Sequence, residues 1–292
     1  MKNVSFSTSI FENQARFTNY ESRYYLAVGE LYPNQTTQSY APQNAVVPGS
    51  ARTKPFKVDG FDYAYAVGNI IYRPVKNLTI IGGNNTQFIG YGHRSLLLSD
   101  NSVPAPFFRV DYKISPKLEF NYMRMRLINL MRRTQSTTVE AYYETKGFST
   151  NYLTYKPTNK LTISLFEGII WSKGDSITSN RVNPLFFNPV PVISGLILSD
   201  TVINSVLGLN LSYLPFQHHR IYSQFAISNF DKNKIALQIG YRGADFFGLK
   251  NFNVQLEFNR ATNQMYQSIN PRLNYTHNNL PLAATKGTGF QE

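Results

Sequence analysis

The chain has 292 residues, of which only 16% are charged while 14% are aromatic, whereas soluble domains usually carry about 25% charged residues. Cysteine is absent, which excludes disulfides, thiolate metal sites and a cysteine nucleophile. The net charge of +12 comes from scattered Lys and Arg residues, so no basic block indicates nucleic-acid binding. A soluble, aromatic-rich β-sandwich remains an alternative on composition alone.

Alternation of apolar and polar residues predicts β-strands along most of the chain. In 251–260, Phe252, Val254, Leu256 and Phe258 alternate with Asn, Gln and Glu, which is the period of a strand with one apolar face. Strands are predicted at 3–11, 60–72, 77–84, 106–114, 118–131, 147–155, 160–171, 204–214, 220–229, 234–243 and 251–260.

Prolines that closely follow a tyrosine predict short turns between pairs of strands. They are Pro74, Pro116, Pro157 and Pro215, and a further turn is predicted at 245–251. Proline presets φ for a tight turn and cannot donate to a sheet ladder. Strand pairs with short turns on one side and long loops on the other are typical of outer-membrane barrels.

The predicted fold is therefore all-β, an antiparallel transmembrane β-barrel that forms one domain over 1–292. Its long outer loops are predicted at 12–59, 85–105, 172–203 and 261–292, with a short helix in the first or third of them. An odd number of strands and the lack of an apolar leader after Met1 lead us to expect a fragment of a larger barrel, cut at both ends.

Residues that could carry chemistry are sparse. The histidines His93, His218, His219 and His277 lack metal-ligand spacing, and no nucleophile elbow, phosphate loop or zinc-protease helix occurs. We predict a protein that is not an enzyme, with no catalytic residue, no metal and no cofactor.

The segment 81–110 carries the most informative motif. It has spaced glycines, an Arg-Ser-Leu-x-Leu-Ser-Asp-Asn run and a Pro-x-Pro pair before a predicted strand. The motif residues are Gly83, Ile89, Gly90, Gly92, Arg94, Ser95, Leu96, Leu98, Ser99, Asp100, Asn101, Pro104 and Pro106.

This motif resembles the capsule-assembly Wzi-like family of outer-membrane barrels, in particular its gliding-motility RemB-like branch. His93 departs from the resemblance, since an aromatic residue is usual there. Further similar segments are 11–17, 47–49, 60–63, 165–167 and 274–283.

The resemblance implies a barrel of about 18 strands in the outer membrane of a Gram-negative bacterium, which binds or anchors capsular polysaccharide at the cell surface. It also implies a link to gliding motility. The implied partners are outer-membrane lipid, an acidic surface polysaccharide, which the positive net charge would attract, and proteins of a surface machinery.

Two sets of residues are candidates for binding. The first is Gly90, Tyr91, Gly92, His93, Arg94, Ser95, Ser99, Asp100 and Asn101, and the second is Glu12, Asn13, Gln14 and Arg16. The first set has two open roles, either ligand contact or a structural role in which Arg94 pairs with Asp100 and folds the loop into the lumen. A transport channel and a protein-binding component of a secretion or gliding machinery are the alternative functions, and an unplugged lumen would favour the channel.

Overall fold

The computed structural model describes residues 3–33, 40–50, 52–57, 60–132, 143–172, 188–190, 192–197 and 203–283. Its main feature is a twelve-stranded antiparallel sheet. Eleven of its strands are β1 (Val4–Arg16), β5 (Gly60–Val75), β6 (Leu78–Asn85), β7 (Ala105–Ser115), β8 (Leu118–Arg132), β9 (Tyr143–Tyr155), β10 (Leu161–Ser172), β11 (Ile203–Tyr213), β12 (His219–Ser228), β13 (Ile235–Gly243) and β14 (Val254–Ala261), which pair in this order.

Shorter elements complete the structure. The twelfth strand of the sheet, β4 (Arg52–Phe56), also pairs with β5, while β2 (Glu30–Pro33) pairs with β3 (Tyr40–Asn44) and β15 (Thr276–His277) with β16 (Leu280–Pro281). The helices are α1 (Asn19–Ala27) and α2 (Ile193–Ile197), with 3-10 turns at Phe246–Gly248 and Pro271–Leu273.

The prediction of an all-β, antiparallel fold is confirmed. Each of the eleven predicted strands corresponds to one of the eleven strands in the main pairing order. In the described residues β1 and β14 are not paired with each other, so the sheet is open there. No helix among these residues is both long and apolar enough to cross a membrane.

The predicted loop 12–59 differs most from the structure. Strand β1 continues to Arg16, because its pairing with β5 runs on to Gly60. Helix α1 follows, and the Thr18 amide donates to the Glu21 carboxylate at its start, as in a capping box. Residues 34–39, 51 and 58–59 of this loop, most of 172–203 and all of 284–292 lie outside the described part of the chain.

The strands have two distinct ends. Pro116, Pro157 and Pro215 lie in the turns that join β7 to β8, β9 to β10 and β11 to β12, and Pro74 lies near the end of β5, just before its turn to β6. In an antiparallel meander these turns all lie at the same end of the strands, which we call the turn end. The long connections 17–59, 86–104, 133–142 and 173–202 meet the opposite edge, which we call the loop end.

The sheet also has two distinct faces, because side chains alternate along each strand. On β12, Tyr222 and Gln224 are buried whereas Ile221 and Phe225 are exposed. We call the buried side the inner face and the other side the outer face. Strand pairing carries this alternation from β1 to β14, because directly opposite residues share a face.

Apolar side chains dominate the outer face near the turn end. They include Phe6, Ile70, Phe108, Tyr112, Leu165, Leu209, Phe225, Ile239, Leu256 and Phe258. On β7 this apolar band runs from Phe108 to Ile114, which is roughly 20 Å of strand.

Charged residues of the outer face are confined to the loop end. On the eleven main strands they are Glu12, Arg16, Asp62, Arg124, Arg126, Arg132, Glu167 and Arg260. Glu167 is shielded, since its carboxylate accepts from Asn151 Nδ2 at 3.1 Å and from the Gly195 amide at 3.2 Å. Arg124 stands directly opposite Phe108, so these charges border the apolar band on its loop side. On each of these strands, the outer-face residues on the turn side of the charges are uncharged.

Tyrosines border this band at the turn end. Four tyrosines of the outer face precede the prolines by two to four residues, and their side chains are between 41% and 46% exposed. They are Tyr72, Tyr112, Tyr155 and Tyr213. The tyrosine–proline spacing in the sequence thus places a row of phenol rings along one edge of the apolar band.

Two segments cover the inner face. One is the connection 86–104, here called the inserted segment, and the other is 262–283, here called the crossing segment. Their buried residues Leu96, Leu97, Leu98, Met265, Tyr266, Leu273 and Tyr275 form one cluster with residues of the strands, among them Phe107, Met123, Phe148, Phe166, Val206, Ala226 and Ala236.

The extent of this cluster indicates that the sheet is curved. In a flat sheet β7 and β13 would lie roughly 29 Å apart. Yet Phe107 of β7 and Ala236 of β13 both belong to the single cluster around Leu96 and Leu97. The strands therefore curve around the inserted segment.

We expect Leu97→Ala to lower the free energy of unfolding by about 2–5 kcal/mol, because the side chain is 0% exposed and its loss leaves a cavity. Denaturant titration of the full chain measures this. Leu209→Ala on the outer face, where the side chain is 37% exposed, is the control and should cost less than half as much. Equal losses would contradict the proposed position of the core.

Candidate functional site

A row of amide side chains crosses the inner face of β11 to β14. Asn210, Gln224, Gln238 and Asn259 stand directly opposite one another on successive strands. The first three are completely buried, and Gln238 Nε2 donates to Asn259 Oδ1 at 2.7 Å. Amides carry both donors and acceptors, so this row can bind a backbone that lies across it.

The backbone of the inserted segment occupies that position. Gln224 donates through Nε2 to the Ile89 carbonyl at 3.2 Å and accepts at Oε1 from the Leu96 amide at 2.8 Å. Gln238 Nε2 also donates to the Arg94 carbonyl at 2.9 Å. The strands therefore bind this segment through its main chain, in addition to the apolar contacts of its leucines.

Glu257 on β14 fastens the same segment. Its carboxylate accepts from the backbone amides of His93 at 2.8 Å and Arg94 at 3.3 Å. It also accepts from Tyr222 Oη at 2.8 Å and from Asn259 Nδ2 at 2.7 Å. Each carboxylate oxygen thus has two donors, and charged hydrogen bonds of this kind are stronger than neutral ones.

The glycines of the motif permit this close approach. A Cβ atom on Gly90 would lie 2.6 Å from Gln224 Nε2, and one on Gly92 would collide with the Glu257 carboxylate. Larger residues at these positions would displace the segment from the amide row. Gly90 and Gly92 therefore allow the main chain of the segment to contact β12 and β14.

Ser95 shapes the next turn of the segment. Its hydroxyl donates to the Ile89 carbonyl and accepts from the amides of Leu97 at 3.1 Å and Leu98 at 3.2 Å. The side chain is completely buried. Ser95 satisfies backbone groups that would otherwise be buried without partners, so that the three leucines can enter the core.

The remaining residues of the first predicted set have exposed or peripheral positions. His93, Arg94, Asp100 and Asn101 are exposed, while Ser99 is buried and its amide donates to the Leu282 carbonyl at 2.7 Å. Arg94 and Asp100 form no ion pair with each other. The predicted pairing of these two residues is therefore wrong, and the amide row and Glu257 hold the segment instead.

The second predicted set is not brought to this site. Glu12, Asn13, Gln14 and Arg16 lie on the edge strand β1 opposite β5, and no described contact joins them to the inserted segment. Glu12, Gln14 and Arg16 are exposed, because β1 extends further than predicted and turns them outward at the loop end.

A cavity of about 250 Å³ lies on the turn side of the inserted segment. Its wall is mixed, with aromatic rings, amides and charged groups, and is formed by Gln87, Phe88, Ile89, Gly90, Tyr91, Arg109, Glu119, Asn121, Met123, Tyr152, Thr154 and Lys156. A concave site with a few polar groups among apolar ones is typical of small-molecule binding.

Charged groups in this cavity are paired. Arg109 Nε lies 2.7 Å from Asp111 Oδ1, and Lys156 Nζ lies 3.1 Å from Glu119 Oε1. Tyr152 Oη accepts from Asn210 Nδ2 at 2.7 Å, which connects the cavity wall to the amide row. In the described ranges, no group of three or more His, Asp and Glu residues could hold a metal ion.

The crossing segment is anchored by His277. Nδ1 accepts from the Ile128 amide at 3.1 Å, so the proton lies on Nε2, which is 3.3 Å from the Pro104 carbonyl. Burial, and to a lesser extent the nearby Lys146, lowers the pKa of His277 to about 4. Lys146 Nζ itself donates to the Asn274 carbonyl at 2.6 Å.

The sequence did not identify the residues that hold the site together. Gln238, Arg242, Gln255 and Glu257 alternate with apolar residues, which predicted that they face inward but not what they bind. Gln224 lay in a predicted strand without such a pattern.

We expect Glu257→Gln to weaken the docking of the inserted segment by about 1–3 kcal/mol, because the new amide cannot accept all four hydrogen bonds. Hydrogen exchange of the His93 and Arg94 amides should accelerate accordingly. Glu119→Gln, which removes an exposed ion pair, is the control and should change their exchange little. Unchanged exchange in Glu257→Gln would contradict the assigned role.

The docking of the crossing segment should depend on pH. The pKa of His277 is lowered from 6.5 to about 4 in the folded protein, so its contribution is complete above pH 6.5 and is lost as the pH falls towards 4. Exchange of the amides in 273–282, corrected for intrinsic rates, measures this at pH 7 and pH 4.5. His277→Gln should abolish the extra opening at low pH, and His93→Gln should preserve it.

Comparison with known proteins identified no relative. No family model, no curated protein and no solved structure matches the chain. The resemblance to the Wzi-like family therefore stays a prediction, and any function must be argued from the inner-face site itself.

Proposed function

We propose that this chain is part of an outer-membrane β-barrel that binds surface polysaccharide without acting as an enzyme, as in the Wzi-like proteins that its motif resembles. The observation that carries the proposal is the division of the sheet into two faces. The outer face presents an apolar band, and the inner face presents polar groups and a cavity beneath a docked segment.

The apolar band supports contact with lipid. Monomeric soluble proteins rarely expose a continuous apolar patch larger than a few hundred Å², yet Phe6, Ile239 and Phe258 are 81%, 52% and 60% exposed. Membrane barrels have an outward apolar band about 25 Å tall with aromatic residues at its borders. The tyrosine row at the turn end corresponds to such a border.

Closure of the barrel is part of the proposal. A strand edge cannot face lipid, because its unpaired backbone groups would cost several kcal/mol each. The free edges of β1 and β14 would therefore have to pair with further strands in the membrane.

The cavity supports a saccharide as the ligand. Phe88, Tyr91 and Tyr152 offer ring surfaces against which a sugar ring can pack, while Asn121 and Thr154 offer groups that bond hydroxyls. The net charge of +12 would attract an acidic polysaccharide from a distance.

The inserted segment argues against an open channel. Its leucines fill the space between strands from β7 to β13, so a pore through this part of the sheet would require the segment to leave the amide row. Conductance of the full chain can be measured in a planar bilayer. A large and persistent single-channel conductance would favour the alternative function, a transport channel.

Membrane contact can be tested with Ile239→Arg, in the middle of the apolar band. We expect this change to lower the free energy of unfolding in phospholipid vesicles by about 2–4 kcal/mol, as for lipid-facing arginines near the bilayer centre. Leu249→Arg, in the turn between β13 and β14, is the control and should cost much less. A chain that folds as a monomer without detergent or lipid, and tolerates Ile239→Arg, would contradict membrane insertion.

Saccharide binding can be tested with Tyr91→Ala. The full chain should bind acidic capsular oligosaccharides on a glycan array, and loss of the ring should weaken that binding about fivefold to tenfold, or about 1–1.4 kcal/mol. Tyr20→Ala, on the exposed side of α1, should leave binding unchanged. No binding of any glycan at low ionic strength would contradict the proposed function.

A further inference from the structure

We propose that Arg220 and Arg242 form an anion subsite that binds the carboxylate or phosphate group of an acidic saccharide. This inference rests on the proposed function, and it names the residues and the chemical class of the ligand that the inner face would select. It concerns the turn side of the same inner-face site, below the amide row.

The two arginines stand directly opposite each other on neighbouring strands. Arg220 of β12 pairs with Arg242 of β13, and Arg242 pairs in turn with Gln255 of β14. All three lie on the inner face, each two residues nearer the turn end than a row formed by the buried Tyr222, by Gly240 and by Glu257. Like charges directly opposite each other in a sheet destabilise it.

No carboxylate neutralises this pair. Within the described ranges, the ion pairs are Arg109 with Asp111, Lys156 with Glu119, and Arg272 with Glu144. The carboxylate next in line, Glu257, already accepts from two backbone amides, Tyr222 and Asn259. It is thus occupied by the inserted segment rather than by the arginines.

The opposite wall provides a comparison within the molecule. Arg109 of β7 and Lys156, which follows β9, each have a carboxylate partner at hydrogen-bonding distance, whereas Lys113 of β7 has none among the described ion pairs. Arg220 and Arg242 lie at the turn ends of β12 and β13, and neither has a carboxylate partner among the residues that the structure describes. Arg220 is half-buried and Arg242 is exposed, and two arginines at directly opposite strand positions are an arrangement that an anion would complete.

Tyr91 connects the arginine pair to the cavity. Its ring lies 4.7 Å from the guanidinium carbon of Arg220, and it also forms part of the cavity wall. Stacking on an aromatic ring fixes the plane of a guanidinium while its N–H edge stays available. A sugar ring in the cavity would therefore carry an acidic substituent towards a preorganised donor.

The chemistry of the donors specifies the ligand class. Each guanidinium has five N–H donors and no acceptor, and its fork matches the two oxygens of a carboxylate or phosphate. The Gln255 amide beside Arg242 is engaged with Tyr222, since its Nε2 donates to Tyr222 Oη at 3.0 Å. The subsite thus offers charge-assisted donors to an anion, and no carboxylate of the described residues forms an ion pair with either arginine.

The inserted segment decides the direction of approach. Its backbone lies across the amide row, on the loop side of the arginines. An acidic saccharide would therefore reach Arg220 and Arg242 from the turn end of the sheet, which in outer-membrane barrels faces the periplasm rather than the cell surface.

The test compares wild type, Arg220→Gln, Arg242→Gln and the double variant as full chains in detergent micelles. Isothermal titration with a glucuronate oligosaccharide, its neutral glucose counterpart and inorganic phosphate measures binding. We expect the double variant to lose about tenfold or more in affinity for the acidic ligand and for phosphate, while its affinity for the neutral ligand is unchanged. Arg260→Gln, on the outer face, is the control for net charge and should retain wild-type affinities.

Stability gives a second readout. The double variant, free of ligand, should unfold at the same denaturant concentration as wild type or a higher one, because a repulsive pair is removed. A marked loss of stability would indicate that the arginines serve the fold and would overturn the proposal. So would equal affinity of wild type for the acidic and neutral ligands, or wild-type affinity of the double variant for the acidic ligand.

The phosphate arm separates this inference from the proposed function. If wild type binds phosphate, the double variant does not, and neither saccharide binds, then the anion subsite stands and the saccharide function fails. If wild type binds neither phosphate nor the acidic saccharide, the anion subsite fails.

Discussion

Buried polar side chains on the inner face are costly without hydrogen-bond partners, and this constraint shapes the structure. Asn210, Gln224 and Gln238 are completely buried, and an unsatisfied buried amide costs about 1–3 kcal/mol. The main chain of the inserted segment supplies partners to both amide atoms of Gln224 and to Nε2 of Gln238, while Gln238 Oε1 and Asn210 Oδ1 have none. In return, the amide row and Glu257 satisfy backbone groups of a segment that has almost no regular hydrogen bonding of its own.

This docking divides the inner face into two halves of different chemistry. Towards the loop end, Leu96 to Leu98 pack with the crossing segment and the strands into an apolar core. Towards the turn end, the cavity beside Tyr91 and the arginine pair on β12 and β13 remain lined by polar groups. The same segment therefore closes one half and forms the wall of the site in the other.

The charge distribution follows the same division. On the outer face charges are restricted to the loop-side half of the strands, whereas inside they extend to the turn end. There, among the described residues, Arg109 and Lys156 are paired with carboxylates, and Lys113, Arg220 and Arg242 are not. A charge on an apolar outer face would be costly in lipid. An unpaired charge on the inner face is a group available to a ligand, and the proposed anion subsite rests on two such charges standing directly opposite each other.

The strands themselves could be predicted from the sequence, because a two-residue period and a proline turn are local properties of neighbouring residues. Residues 251–260 alternate whatever the rest of the chain does, and Pro116 ends its strand wherever that strand lies. The end of β1 could not be predicted, because residues 12–16 become a strand only by pairing with 60–64.

The motif at 90–101 could be recognised from the sequence as a unit, but only the tertiary structure decided what its members do. Gly90 and Gly92 are needed because Gln224 and Glu257, more than a hundred residues away, approach them closely. The predicted pairing of Arg94 with Asp100 was wrong because the strands, rather than the loop itself, provide the partners. The alternating pattern thus determined by itself which side chains share a face, since that depends on local backbone geometry, whereas contacts such as Tyr91 with Arg220 exist only because the curved sheet brings distant strands together around one segment.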